Sequence, residues 1–134
     1  MASRSWSHFG CTASLAAVLA CSPMARGETV SEYGFAEAAQ EVTQLFWLAE
    51  TATACGWASA EDTAKFKYFT VRFLAAHLST NNRMALVSLV TEDGYEDKVR
   101  RAALQSAQDN CASSRWHSGW TAYKAAADLH DQEF

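Results

Sequence analysis

Three aromatic residues near the C-terminus, Trp116, Trp120 and Tyr123, recur at spacings of four and three, so they share one face of a predicted helix. His117 places an ionisable group beside this stripe. Such a cluster is typical of a ligand pocket or a partner surface, although a small domain also needs large rings to close its core. We interpret these four residues as a candidate binding edge. Within this edge, we expect Trp120 to lie in the core, and we expect Trp116 and His117 to contact the partner.

Motifs with a known chemical mechanism are missing from the sequence. It contains no Cys-x-x-Cys-His for haem, no His-Glu-x-x-His for zinc, no Gly-x-Ser-x-Gly nucleophile elbow and no glycine-rich phosphate loop. Paired carboxylates at Glu61-Asp62 and Glu96-Asp97 fall in predicted first helical turns, where the helix dipole favours acids, so we interpret them as capping charges. The sequence therefore predicts no catalytic residue, no metal ligand and no cofactor.

The N-terminal segment has the pattern of a secretory signal peptide. Arg4 precedes an apolar run from Cys11 to Cys21, and no acidic residue occurs before Glu28. The run falls short of the roughly 20 residues that span a bilayer, so no transmembrane anchor is expected. We favour a cut before Glu28, which gives a signal peptide over 1–27. A cut before Cys21, with a lipid anchor on that cysteine, is the alternative.

Removal of residues 1–27 leaves Cys55 and Cys111 as the remaining cysteines. In an oxidising compartment, one structural disulfide between them is the simplest prediction. The two cysteines are 56 residues apart, and a loop of that length is worth about 4 kcal/mol in the chain-entropy model. A catalytic thiol pair would normally be a Cys-x-x-Cys motif, which this pair is not.

Charge and composition limit the classes of partner and of fold. The same cut moves the formal net charge from -4 to -6, and the acidic chain lacks the basic cluster that nucleic acid or an anionic membrane surface would require. The remaining 107 residues contain 20 alanines and no proline. This composition favours helices, so we predict one all-α domain over 28–134.

Helix signals divide this domain into a bundle. Apolar periodicity and capping residues predict helices over about 30–55 and 60–78, a short buried third helix carrying residues 86–90, and helical structure over 96–110. A last helix begins at Ser113 or Ser114 and carries the aromatic stripe. Gly94 either breaks the chain or is tolerated inside one long helix. The prediction is therefore a bundle of four or five helices with one disulfide.

Several segments resemble a known family. They are Leu48-Ala-Glu-Thr-Ala-Thr-Ala-Cys55-Gly56, then Arg83-Met-Ala-Leu86-Val87 leading to Gly94-Tyr95, then Cys111 and an alanine-rich terminal helix. Together they resemble a family of small, functionally uncharacterised exported helical proteins of alphaproteobacteria, over most of residues 44–130. The sequence departs from the family at Val90-Thr91, where Phe-Asn is expected. The resemblance implies an exported helical domain with a disulfide, and it implies no activity.

These observations predict a periplasmic or secreted helical protein with a binding or structural role. Its partner would be an unidentified protein or small molecule, and neither nucleic acid nor a membrane span is expected. A metal or small-ligand carrier in the periplasm is one alternative, and a small enzyme without a recognisable motif is another. An enzyme is the less favoured interpretation because no clustered catalytic set is visible in the sequence.

Overall fold

Six α-helices make up the part of the chain that the computed structural model describes, residues 33–131, and this part contains no β-strand. The helices are α1 (Phe35–Ala54), α2 (Ala60–Ala75), α3 (Thr80–Val90), α4 (Tyr95–Gln105), α5 (Ala107–Cys111) and α6 (Ser114–Asp131). The predicted all-α fold is confirmed. None of these six helices combines the length and the apolar character needed to cross a membrane. The predicted signal peptide over 1–27 and its cleavage site lie outside the described residues.

The first helix begins at Phe35, five residues after the start predicted at about residue 30. Gly34 is the N-cap residue and has extended backbone geometry, with φ -118° and ψ -167°. Its N–H donates to Oε1 of Glu37 at 3.1 Å, which is the backward half of a capping box. A glutamate three residues after a flexible glycine therefore fixes where α1 begins.

Helices α2 and α3 begin where the sequence places capping serines. The Ser59 hydroxyl accepts from the Asp62 amide at 3.0 Å, and the Ser79 hydroxyl accepts from the Asn82 amide at 3.2 Å. Each bond satisfies an amide that has no partner within its own helix. Helix α2 ends at Ala75, before the predicted residue 78, because the amides of His77 and Leu78 bond to carbonyls three residues back and tighten the chain into a turn.

Two residues decide the number of helices. Gly94 has a φ of 86°, a left-handed conformation that glycine adopts without strain, and it separates α3 from α4. Ser106 ends α4, since its hydroxyl donates to the Ala102 carbonyl and accepts from the Asn110 side-chain amide, both at 3.1 Å. The helix predicted over 96–110 is therefore two helices. The described residues form six helices rather than the predicted four or five.

Helix α1 is the central element, and the other five helices all pack against it. Its residues Ala38, Val42, Leu45, Phe46, Leu48, Ala49 and Ala52 are buried. The facing helices contribute buried side chains that include Phe66, Phe69, Leu74, Leu86, Val99, Ala103, Trp120, Tyr123 and Ala127. Each large apolar side chain buried in this way contributes about 1.5 to 3 kcal/mol to folding.

Helix α3 lies at the periphery, so the prediction of a buried third helix is wrong. Leu86 is its one buried residue, while Met84 is 64% exposed and Val87 is 44% exposed. Apolar residues lie on almost every side of the segment 86–90, so the sequence pattern does not predict which sides other helices cover. Helix α3 packs on α1 and α2 and also contacts α4, and Met84 and Val87 remain exposed.

The predicted disulfide is confirmed. Cys55 directly follows α1, Cys111 is the last residue of α5, and their Cα atoms are 5.3 Å apart. The bond ties the C-terminal ends of two helices that are neighbours in the bundle. It therefore closes the end of the fold from which α6 begins.

Candidate functional site

A groove runs along one side of the bundle between α2 and α4. Both helices pack on α1, which forms the floor, and α3 contributes to the wall at one end. The groove has a volume of about 720 Å³, within the range of natural small-molecule sites. Its apolar lining includes Phe46, Ala60, Ala64, Val71, Ala75, Val87 and Val90, with Tyr68 at the rim.

A buried ion pair lies in this groove. Glu50 of α1 accepts a hydrogen bond at Oε2 from Nζ of Lys67 of α2, and each residue is only 8% exposed. The Lys67 ammonium also lies 5.2 Å from the ring centroid of Phe46, within cation–π range. Burying a charge is costly unless it is paired and hydrogen-bonded, and this pair meets both conditions.

Helix α4 extends the pair into a chain of alternating charges. Arg100 Nε lies 3.6 Å from Glu50 Oε1, and Glu96 Oε2 lies 3.9 Å from Lys67 Nζ. Arg100 Nη1 also donates to Asp97 Oδ1 at 2.6 Å. The charges of α1, α2 and α4 therefore meet in one place, with the buried pair at the centre and half-exposed groups around it.

The end of the groove towards the start of α2 is lined by hydroxyl groups. The Thr53 and Thr63 hydroxyls are hydrogen-bonded to each other at 2.5 Å, and each hydroxyl oxygen lies 3.4 Å from the Ala49 carbonyl oxygen, which accepts from the hydroxyl whose hydrogen remains. At the opposite end, the Arg83 guanidinium donates to the carbonyls of Ala75 and Leu78 and caps the end of α2. These polar groups are satisfied within the fold, so both ends of the groove are structurally fixed.

The structure divides the four residues of the predicted binding edge into two pairs. Trp120 is 4% exposed and packs edge-on against Phe66, with ring centroids 5.0 Å apart. Tyr123 is 6% exposed, and its burial, reinforced by the nearby Glu41 carboxylate, raises the pKa of its phenol. Both residues therefore belong to the core, as we expected for Trp120.

Trp116 and His117 lie at the edge of that core, near the disulfide. The His117 ring stacks on Trp57 with centroids 4.5 Å apart and an interplanar angle of 14°. Trp116 contacts Trp47 of α1 with centroids 6.0 Å apart. His117 is exposed and Trp116 is partly buried. Whether the two residues bind a partner stays a prediction.

Two other clusters contain titratable groups. Burial raises the pKa of Glu41, which lies near Tyr123 of α6, from 4.5 to about 7. The rings of His77 and His130 lie 5.0 and 5.9 Å from the ring of Phe73. Residues 33–131 contain no group of three histidine, cysteine or carboxylate side chains placed to hold a metal ion.

Sequence reasoning missed the central residues of the groove. Glu50 follows Phe46 by four residues and Ala49 by one, so it lies within the apolar stripe of α1. A charge at such a position is the signal that could have identified it. Glu96 is indeed in a first helical turn, as predicted, but it also lies beside Lys67, which only the tertiary arrangement of α2 and α4 reveals.

In comparisons with known proteins, the chain matches no family model, no curated protein and no solved structure. The family resemblance noted in the sequence therefore stays an expectation. The geometry of the groove and its charges carries the functional argument.

Proposed function

We propose that this protein is an exported binding protein whose groove between α2 and α4 takes a small ligand with an apolar body. The groove volume of about 720 Å³ is sufficient for such a molecule, and binding sites of this size are typically apolar with a few placed polar groups. The walls supply aliphatic and aromatic surface, of which Tyr68 is 66% exposed and Val87 is 44% exposed. A ligand would cover this apolar surface.

The buried Glu50–Lys67 pair is the observation that carries the proposal. A buried ion pair adds little net stability, because the cost of removing both charges from water offsets most of their attraction. Well-packed apolar residues at these positions would stabilise the fold at least as well. Charges retained in an apolar groove are therefore better explained by recognition of a ligand than by stability.

We assign the groove a binding role without catalysis. Lys67 is engaged by Glu50 and Glu96, and Arg100 is engaged by Asp97 and Glu50, so both cations are matched by carboxylates. A catalytic acid, base or nucleophile needs a group with a pKa tuned to its task beside the reacting atoms. Matched charges instead orient a ligand and discriminate between ligands.

Export to the periplasm or the exterior is part of the same proposal. The Cys55–Cys111 disulfide supports it, because such bonds persist mainly in oxidising compartments. Mass spectrometry of the exported protein tests it, and we expect the mass of residues 28–134. A diacylglyceryl group on Cys21 would move the cut to that position, and the mass of the uncut chain would contradict export by a cleaved signal.

Binding of Nile red, an uncharged apolar dye, tests the groove. We expect dye fluorescence to rise with the wild-type protein and to be lost in Ala64→Trp, because an indole at this exposed groove position would fill the cleft. Ala122→Trp places the same ring on an exposed position of α6 outside the groove and serves as the matched control. Equal dye binding by both variants would contradict the proposal.

A further inference from the structure

We infer that the ligand of the groove is an uncharged amphiphile with a hydroxyl head group, and that Glu96 accepts a hydrogen bond from this hydroxyl. This inference rests on the proposed binding function and specifies the chemical class of the ligand, a long-chain alcohol. The hydroxyl would lie beside the start of α4, and the apolar body would lie along the walls formed by α2 and α3.

The charges at the centre of the groove are already matched with one another. The Lys67 ammonium donates to Glu50, and Glu96 Oε2 lies 3.9 Å from the same ammonium. The Arg100 guanidinium donates to Asp97 at 2.6 Å, and its Nε lies 3.6 Å from Glu50. These two cations therefore face three carboxylates, and neither cation is available to an anionic ligand.

The two other cations that line the groove are also engaged. The Arg83 guanidinium donates to the carbonyls of Ala75 and Leu78, where the negative end of the α2 dipole offsets its charge. The Arg72 guanidinium lies over the Tyr68 ring at the rim. Both guanidinium groups are held by contacts within the fold, so neither provides a separate site for an anion.

A charged head group of either sign would meet like charge in the groove. A carboxylate beside Arg100 would lie next to Glu50 and Asp97. An ammonium beside Glu96 would lie next to Lys67. An ion also loses its hydration on entering a groove, and this cost is recovered only where a partner of opposite charge is free to pair with it. An uncharged head group avoids both costs.

Glu96 is the group best placed to bind an uncharged head group. It lines the groove, and its side chain is 48% exposed. Its Oε2 lies beyond hydrogen-bond distance from Lys67, and no residue of the described range 33–131 donates a hydrogen bond to its carboxylate. An ionised carboxylate only accepts hydrogen bonds, so it selects a ligand group that donates one. A hydroxyl supplies this donor without a charge, and its hydrogen bond to an ionised acceptor is a strong one.

Isothermal titration calorimetry at neutral pH with four eight-carbon ligands tests the inference on the full exported protein. 1-Octanol and 1-methoxyheptane are isomers, and only the alcohol has a hydrogen-bond donor. Octanoate and octylammonium carry a negative and a positive charge on a chain of the same length. We expect 1-octanol to bind about tenfold more tightly than its ether isomer, as one charge-assisted hydrogen bond would give, and both ions to bind more weakly than 1-octanol.

Glu96→Met and Glu61→Met form a matched pair of variants. Each removes a carboxylate from the second residue of a helix, α4 and α2 respectively, but of the two only Glu96 lines the groove. We expect Glu96→Met to lose about tenfold in 1-octanol affinity, which brings the alcohol level with its ether isomer. We expect Glu61→Met to bind 1-octanol like the wild type.

Three outcomes would overturn the assignment of an uncharged alcohol and leave the groove in place. They are equal affinities of the wild type for 1-octanol and its ether isomer, tighter binding of either ion than of 1-octanol, and an unchanged 1-octanol affinity in Glu96→Met. Failure of all four ligands and of Nile red would overturn the binding function itself.

Discussion

The disulfide end of the bundle and the groove both combine rings with ionisable groups, but they differ in what covers the apolar surface. At the disulfide end, rings of separate segments cover one another, as in the Trp57–His117 and Trp47–Trp116 pairs. In the groove, the charges are paired while the apolar walls stay accessible, as at Val87. The aromatic pairs at the disulfide end therefore stabilise the fold. The accessible apolar surface beside the charges of the groove is the part that can bind a ligand.

The largest effect is expected for the aromatic core, at Trp120→Ala. The ring is 4% exposed and packed on Phe66, so its removal leaves a cavity and should cost about 3 to 5 kcal/mol in the free energy of unfolding. His117→Ala, at the exposed edge, should cost less than about 1 kcal/mol. Urea unfolding of both variants measures the contrast. If Trp120→Ala also costs less than about 1 kcal/mol, the Trp120 ring is not part of the core and the whole aromatic stripe is a surface.

Loss of the disulfide should have the next largest effect on the free energy of unfolding, and it should leave ligand binding in the groove unchanged. The bond closes a loop of 56 residues, and the double variant Cys55→Ser, Cys111→Ser should lose about 2 to 4 kcal/mol of stability. Helical circular dichroism and Nile red binding should persist below the lowered Tm. Two free thiols in the exported wild-type protein would contradict the structural role of the bond, and loss of dye binding in the folded variant would remove the distinction between the two regions.

The charged floor of the groove should show a different pattern of stability. Lys67→Met leaves the buried Glu50 carboxylate without its main partner and should cost about 3 kcal/mol, whereas Glu50→Leu, Lys67→Met should unfold within about 1 kcal/mol of wild type. Lys98→Met, at an exposed position of α4, is the control. Thermal and urea unfolding measure all three. A double variant as unstable as the single one would show that the pair holds the fold together.

A smaller, pH-dependent effect is expected at Glu41, on the core side of α1. Its folded pKa of about 7 lies above the ordinary value of 4.5, so the folded state binds more protons in that window and stability falls as the pH rises through it. We expect a loss of about 2 kcal/mol between pH 5 and pH 8, since some solvent contact reduces the full effect of the shift. Glu41→Gln should remove this slope, and the exposed control Glu92→Gln should keep it. Denaturant unfolding across this pH range measures the slopes, and equal slopes for Glu41→Gln and wild type would contradict the assignment.

The fold was more predictable than the site because helices follow local signals. Ser59 and Ser79 act within one turn of the chain, and the cysteine pair followed from the disulfide expected in an exported chain, whereas the sequence left open whether Gly94 breaks a helix. Sequence pattern did not reveal that Met84 and Val87 of α3 are exposed, because coverage depends on neighbouring helices. The groove depends on the same long-range information: Glu50 and Arg100 are 50 positions apart in the sequence and meet only through the packing of α4 on α1.

Nuclear magnetic resonance titration of the exported protein with 1-octanol, an uncharged apolar alcohol, compares the two regions directly. The methyl signals of Val71 and Val87 report on the groove, and the indole N–H signals of Trp57 and Trp116 report on the disulfide end. We expect the valine signals to shift and saturate while the indole signals stay in place. Saturating shifts of the two indole signals, with the valine signals unchanged, would rule out the groove and place binding at the aromatic edge.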